Sequence, residues 1–251
     1  MSNKQSKSCL VTGAAGGIGR ALVRVFHEAG YAVIGTDIVP RPAELPCAAY
    51  LQADLARIVA DEPYATGMLR DIRAGLGGRA LDALINNAAV QILGATEHLS
   101  RESWRRTLDT NLLAPFLLTQ GLLPELEAAR GCVVNIGSVH ARLTKPGFAA
   151  YATSKAALAG MTRALAVDLG ERVRVNAIEP AAIETDMLKA GFAGNPETYR
   201  RLQDCHPQRR IGRPEEVARL ALAIVGGGAD FLHGACVGLD GGIAARLFDP
   251  D

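Results

Sequence analysis

The chain has 251 residues, 27 Lys and Arg against 26 Asp and Glu, a formal net charge of +1, and 49% hydrophobic residues. A chain of this length buries roughly 70% of its unfolded surface, enough for one sizeable core, and its composition excludes disorder. The near-zero charge gives no electrostatic reason to expect nucleic acid as a partner, and no apolar run reaches the roughly 18 residues that a membrane span needs.

In chain order, the polar start from Met1 to Ser8 leads into too few apolar residues for a signal peptide, so a cytoplasmic protein is expected. Cys9-Leu10-Val11 then reads as a buried strand and Ile18 to Ala29 as an amphipathic helix. Ala32-Val33-Ile34, Leu84-Ile85, Cys132-Val133-Val134 and Val173-Arg174-Val175 repeat the strand pattern. Helix-length segments lie at Ser103 to Leu123, Tyr151 to Leu169 and Pro214 to Val225, the last opening on Pro214-Glu215-Glu216, a helix start. Strands apolar on both faces, alternating with helices, predict an α/β fold: a doubly wound parallel sheet, in one domain over residues 1–251. Its ligand site belongs at the carboxyl ends of the strands. Cys9, Cys47, Cys132, Cys205 and Cys236 are odd in number and form no CxxC pair, which points to reduced thiols and away from a bound metal.

Directly after the first strand comes Thr12-Gly13-Ala14-Ala15-Gly16-Gly17-Ile18-Gly19. Glycines at 13, 17 and 19 permit a tight turn and a close backbone approach to a pyrophosphate, and the helix start adds free N–H donors and partial positive charge. The second strand ends at Asp37, 18 residues beyond Gly19. A carboxylate there accepts the ribose hydroxyls of adenosine and repels a 2′-phosphate, so NAD is expected over NADP. Arg41 is the one nearby cation that opposes this.

Tyr151 and Lys155 stand four residues apart, on one helix face. A phenol is a poor base at neutral pH, and a neighbouring ammonium favours its ionised form. Ser138 follows the strand at Cys132–Ile136, where a hydroxyl can hold a reacting oxygen. Pro115 lies four residues after Asn111 and has no N–H, so the Asn111 carbonyl is expected to lose its helical partner and to accept a water instead.

With these residues in place, the chain resembles the short-chain dehydrogenases/reductases from Thr12 to Gly242. Thr12 to Gly19 matches the family's Thr-Gly-x-x-x-Gly-x-Gly turn, Asp54-Leu55 its adenine-holding step, and Asn86-Asn87-Ala88-Ala89 its Asn-Asn-Ala-Gly turn. Asn111, Ser138, Tyr151 and Lys155 match its catalytic tetrad, and Phe231-Leu232-His233-Gly234 to Asp240-Gly241-Gly242 its closing strand. The resemblance implies a seven-stranded Rossmann-type sheet, a homotetramer or homodimer, and hydride transfer between NAD and a secondary alcohol or ketone. Tyr151 would be the general acid/base and Ser138 would hold the carbonyl oxygen. Lys155 would bind the nicotinamide ribose and lower the phenol's pKa, and Asn111 would position a relay water. Cofactor contacts are expected from Gly13, Gly17, Ile18, Gly19, Asp37, Asp54, Leu55, Asn87, Tyr151, Lys155, Ile183 and Thr185. Ala89 and Ala181 stand where the family usually has glycine, and a methyl at either site would crowd the cofactor or strain a positive φ.

Gln91, just past the Asn-Asn-Ala-Ala turn, and His140, two past Ser138, are expected to line the substrate pocket with Ser138 and Tyr151. The family's 3-hydroxybutyrate dehydrogenases carry glutamine and histidine at these places. They also carry a lysine where this chain has Phe148, while Lys145 lies six residues before Tyr151. The substrate is expected to be a polyol, a sugar or a short 3-hydroxy acid. A 3-oxoacyl thioester reductase is the alternative, and a nucleotide-bound sensor without chemistry is disfavoured by the intact tetrad. The segment from Met187 to His206 reads as a lid.

Overall fold

The structure, a computed structural model, describes residues 6–192 and 194–247. Most of the polar start read from Met1 to Ser8 therefore lies outside the described residues, as does Ala193 within the expected lid. In chain order the elements are β1 (Ser8–Thr12), α1 (Gly17–Glu28), β2 (Ala32–Asp37), β3 (Ala49–Gln52), α2 (Arg57–Ala60), α3 (Glu62–Leu76) and β4 (Ala83–Asn86). Then follow α4 (Arg101–Leu108), α5 (Ala114–Gly121), α6 (Leu123–Ala129), β5 (Cys132–Ile136), α7 (Ala149–Leu169) and β6 (Arg174–Pro180). The chain ends with α8 (Asp186–Gly191), α9 (Pro196–Cys205), α10 (Pro214–Val225) and β7 (Cys236–Leu239).

The strands form one seven-stranded parallel sheet in the order β3-β2-β1-β4-β5-β6-β7, the Rossmann-type arrangement expected. The order reverses between β1 and β4, which opens a crevice at their carboxyl ends. Alternate residues of each strand enter different cores. Val11, Val33, Ile85, Val134 and Ile178 pack under α1 and α10, through Leu22, Phe26, Val217 and Ile224. Leu10, Ile34, Leu84, Val133 and Val175 pack on the other face, against Ile72, Leu118, Leu126 and Leu169. This two-sided burial is why the strands read as unbroken apolar runs.

Two elements outside the segments singled out above have clear causes. β3 is a half-buried edge strand that follows the 42–46 loop, its Ala49, Tyr50 and Leu51 packed on the two cores. α3 starts where the Asp61 carboxylate accepts the Tyr64 N–H at 3.0 Å, with Pro63 in the first turn, and ends at Gly77 with φ +58°. The closing strand is shorter than its motif: β7 spans four residues, and Phe231 stands before it, fully exposed. The segment read as one helix from Ser103 to Leu123 is α4 and α5 joined by a π turn, Asp109–Leu113, in which the Ala114 N–H reaches the Asp109 carbonyl.

Candidate active site

The glycine turn between β1 and α1 is tight by construction. Gly13 has φ +65°, and a Cβ there would stand 2.8 Å from the Ala88 Cα. A Cβ on Gly19 would overlap the Gly13 carbonyl. No other residue fits at either place. The N–H groups of Gly17, Ile18 and Gly19 open α1, where no preceding turn supplies them with carbonyls. The turn is stapled to the end of β4. Asn87 donates its side-chain amide to the carbonyls of Thr12 and Gly13 at 2.9 and 3.1 Å, and Thr12 Oγ1 accepts the N–H groups of Asn87 and Ala88. Asn87 thus shapes the cradle, its side-chain donors being committed to the turn.

On the adenosine side, Asp37 ends β2 with Oδ2 accepting the Ala15 N–H at 2.9 Å, so the carboxylate borders the turn. Arg41 donates to the carbonyls of Leu45 and Cys47 at 2.8 and 2.9 Å, which draws it into its own loop. Asp54 caps its turn through the Ala56 N–H, and Leu55 is buried. Neither Ala89 nor Ala181 has a positive φ, so the strain expected there does not arise. Past β6, the Ile183 side chain is buried in the core, leaving its main chain as the part able to meet a ligand. Thr185 caps α8 by accepting the Leu188 N–H, and its methyl lies so near Gly17 that a Cβ there would stand 2.8 Å away. The expected lid contains two ordered helices, α8 and α9.

The tetrad is brought together around the start of α7. Asn111, in the π turn, spends its whole side chain on neighbours. Oδ1 accepts the Val90 N–H, and Nδ2 donates to the Val90 carbonyl and to Ser154 Oγ, all within 3.0 Å. Ser154 in turn donates to the Tyr151 carbonyl at 2.7 Å. Ser138 is the neighbour that draws the Tyr151 phenol down, and His140 of the same turn meets the Tyr151 ring. Lys155 is buried with Nζ donating to the Ile136 carbonyl at 2.8 Å, 5.7 Å from the centre of the Tyr151 ring.

These environments oppose one another. Burial pushes the Tyr151 phenol up, and the bond to Ser138 draws it down. Burial pushes Lys155 down to about 8. Lys155 lies over the ring face with its ammonium on a carbonyl, and Ser138 is the neighbour that draws the phenol down.

His140 packs against the Tyr151 ring. The His140 ring stacks on Phe148, centroids 4.3 Å apart and planes within 5°, and meets the Tyr151 ring edge-on at 5.8 Å. Its Nδ1 lies 3.1 Å from Thr144 Oγ1, and burial, with the Lys145 charge, holds the imidazole below its ordinary range. Lys145 Nζ rests 4.9 Å from the centre of the Phe148 ring. Gln91 is exposed on the loop after Val90.

Several supporting residues escaped the motif reading. Asn86 donates to Asn135, Asn135 to Thr162 Oγ1, and Thr162 to the Leu158 carbonyl, a buried polar chain beneath the site. A polar residue inside the apolar strand Cys132–Ile136 was the available signal for Asn135. Ser154 could have been found by its place one turn from Tyr151. Phe148 stood out only as a mismatch, and its stacking depends on the turn's path.

A family model described as enoyl-(acyl carrier protein) reductase matches residues 13–244. Protein FixR of Bradyrhizobium diazoefficiens is 38% identical over 95% of this chain and 87% of its own length. The 2,5-dichloro-2,5-cyclohexadiene-1,4-diol dehydrogenase of Sphingobium indicum is 32% identical over 98% of this chain and all of its own. Among solved structures, the ligand-free aldohexose dehydrogenase of Thermoplasma acidophilum superimposes with a TM-score of 0.88 at 30% identity, covering 98% of this chain and 97% of its own.

Proposed function

The chain belongs to the short-chain dehydrogenases/reductases, oxidoreductases of alcohols and ketones, and from that premise we propose that it transfers a hydride between NAD and a small secondary alcohol or its ketone. The observation that carries this reading is the buried Lys155 with Nζ 5.7 Å from the centre of the Tyr151 ring, beside a buried Ser138 that draws the phenol down. The residues at the strand ends suit a dinucleotide. The turn at Gly13 to Gly19 has room for backbone alone, and the N–H groups opening α1 suit a pyrophosphate. Asp37 suits a ribose diol and disfavours a 2′-phosphate, and Arg41 is tied elsewhere, which supports NAD.

When bound, the nicotinamide takes up or supplies the hydride. In the oxidising direction Tyr151 takes the hydroxyl proton of the alcohol, and in the reducing direction it returns it. Ser138 holds the reacting oxygen throughout. Lys155 binds the nicotinamide ribose and, when charged, favours the phenolate. The Asn111 carbonyl, denied a partner by Pro115, holds the water that links Lys155 to solvent.

Lys145 has no carboxylate partner among the described residues and sits on the stack that ends at Tyr151, which supports a substrate with an acidic far end, a short hydroxy acid. The ring alcohol and sugar named for two relatives support a neutral polyol as the second reading. The family model's name favours a thioester reductase, against which Asp37 stands. The family resemblance also supports a homotetramer or homodimer.

NADH formation over 3-hydroxybutyrate, polyols and sugars tests the proposal, with Tyr151→Phe beside the native chain. Turnover is expected to fall at least about a hundredfold in the variant. Unchanged turnover would remove Tyr151 from the chemistry. With 3-hydroxybutyrate as substrate, His140→Ala is expected to raise KM strongly, and an unchanged KM would favour the neutral polyol.

A further inference from the structure

Glu179 is a charged residue that the chemistry above leaves unused. It is the penultimate residue of β6 and is 2% exposed. Glycines flank it on both sides, Gly137 just past the end of β5 and Gly238 in β7. A Cβ on Gly137 would stand 3.2 Å from the Glu179 Cγ, and Gly238 is its register partner in β7. A Cβ on Gly238 would stand 3.4 Å from Nη2 of Arg142. The lane across the strand ends is therefore open, and Arg142 lies along it with Nε 3.0 Å from Glu179 Oε2. No N–H is aimed along that approach as a directed hydrogen bond, so charge holds the buried oxygen.

Arg142 also closes the turn that carries the site. Its N–H donates to the Val139 carbonyl at 3.1 Å, and the Ala141 N–H donates to the Ser138 carbonyl at 2.9 Å. The His140 N–H donates to Ser138 Oγ at 3.2 Å. Ser138 stands at one end of this short turn and Arg142 at the other. A buried carboxylate stripped of its cation is strongly unfavourable, so Glu179 draws Arg142, and the turn with it, onto the sheet edge.

We propose that Glu179 and Arg142 are positioning residues: their ion pair pins the 138–142 turn to β6 and thereby sets the Ser138 hydroxyl on the Tyr151 phenol. This deepens the functional reading above and rests on its assignment of Ser138 and Tyr151. His140 of this turn meets the Tyr151 ring edge-on at 5.8 Å and Ser138 draws the phenol's ionisation down, so a turn that drifts lets it rise. The other charged or titratable groups around the phenol are Lys155 and His140, with Lys145 beyond His140. Around Glu179 they are Arg142 and Cys236, with Arg163 beside Cys236 and Asp240 near the Arg142 guanidinium, a Cβ on Gly238 standing 3.6 Å from the Asp240 Oδ2. A pair that only strengthens the fold would change Tm and leave the phenol where it is.

The test is a tyrosinate absorbance titration of the full chain, each variant being read against the same variant carrying Tyr151→Phe so that one phenol is isolated. Glu179→Gln and Arg142→Gln are each expected to raise the midpoint by about half a unit or more. Ser138→Ala sets the full size of the shift, and Arg142→Lys restores the native midpoint. If a single Gln variant does not fold, Glu179→Gln with Arg142→Gln, which leaves no unpaired buried charge, takes its place with the same expected rise. A midpoint unmoved by the Gln variants, whatever their Tm, overturns the proposal, as does one unmoved by Ser138→Ala. The readout is ionisation rather than turnover. A chain that oxidised none of the alcohols would fail the functional reading and leave this result standing on its own.

Discussion

Lys155 carries an ammonium into the interior, where the Ile136 carbonyl receives it and burial pushes its pKa down to about 8. Between that value and the ordinary lysine pKa of about 10.4, the unfolded chain holds more protons than the folded one. Stability therefore rises with pH across this window, and below about 8 the full cost of the buried charge is present. Lys155→Met keeps the length of the side chain and removes the charge. It is expected to abolish turnover and to raise stability by about 1–3 kcal/mol at pH 7. Urea unfolding at pH 7 and pH 10 checks the sign, since the gain should shrink towards the higher pH. A loss of stability, or an equal gain at both, would mean that the charge is not what burial disfavours. Tyr151, Lys155 and Ser138 were legible because their chemistry is carried by residue type and spacing. The stack of His140, Phe148 and Lys145 was not, because it depends on how the 138–148 loop folds back.

Among the elements, the join between α4 and α5 has the most direct bearing on function. The π turn at Asp109–Leu113 widens the helix by one residue just before Pro115, whose ring cannot serve a carbonyl one turn back. Asn111 is thereby held with its side chain clamped on Val90 and Ser154, and Pro115 has no N–H to offer its carbonyl. Pro115→Ala supplies an N–H that competes for that carbonyl. We expect kcat to fall about tenfold if the carbonyl holds a relay water, with Tm changed by no more than about 2 °C. A native kcat in this variant would remove the relay from the mechanism. The proline and its distance from Asn111 were readable in the sequence, and the π turn was not. Whether a helix absorbs such a defect as a kink, an end or an extra residue is decided by its packing against α7. β3 was missed although Cys47 to Leu51 is an apolar run, because it is a short edge strand that follows two prolines, Pro42 and Pro46, which read as loop.

For the molecule as a whole, the site exists only because the sheet order gathers distant segments. The ends of β1, β2, β4, β5 and β6 and the first turns of α7 lie far apart in the chain and share one rim of the sheet. That rim was legible from the alternation of strands and helices and from the glycine turn after the first strand. The side-chain ties across it, Asn87 to the turn and Arg142 to Glu179, were not, because sequence spacing carries no information between strands. A dinucleotide that binds this rim binds only the folded chain and must stabilise it. At free NADH one hundred times its Kd the gain is about 2.7 kcal/mol. In a chain of this size that raises Tm by about 5–10 °C. On the proposed reading Asp37 selects the dinucleotide, because its carboxylate at the turn would meet a 2′-phosphate as a like charge. NADPH at the same concentration is expected to give a much smaller shift, and Asp37→Ser to narrow the gap by weakening NADH and relieving the repulsion. Equal shifts from both in the native chain would refute the preference for NAD, and no shift from either would refute the dinucleotide site itself.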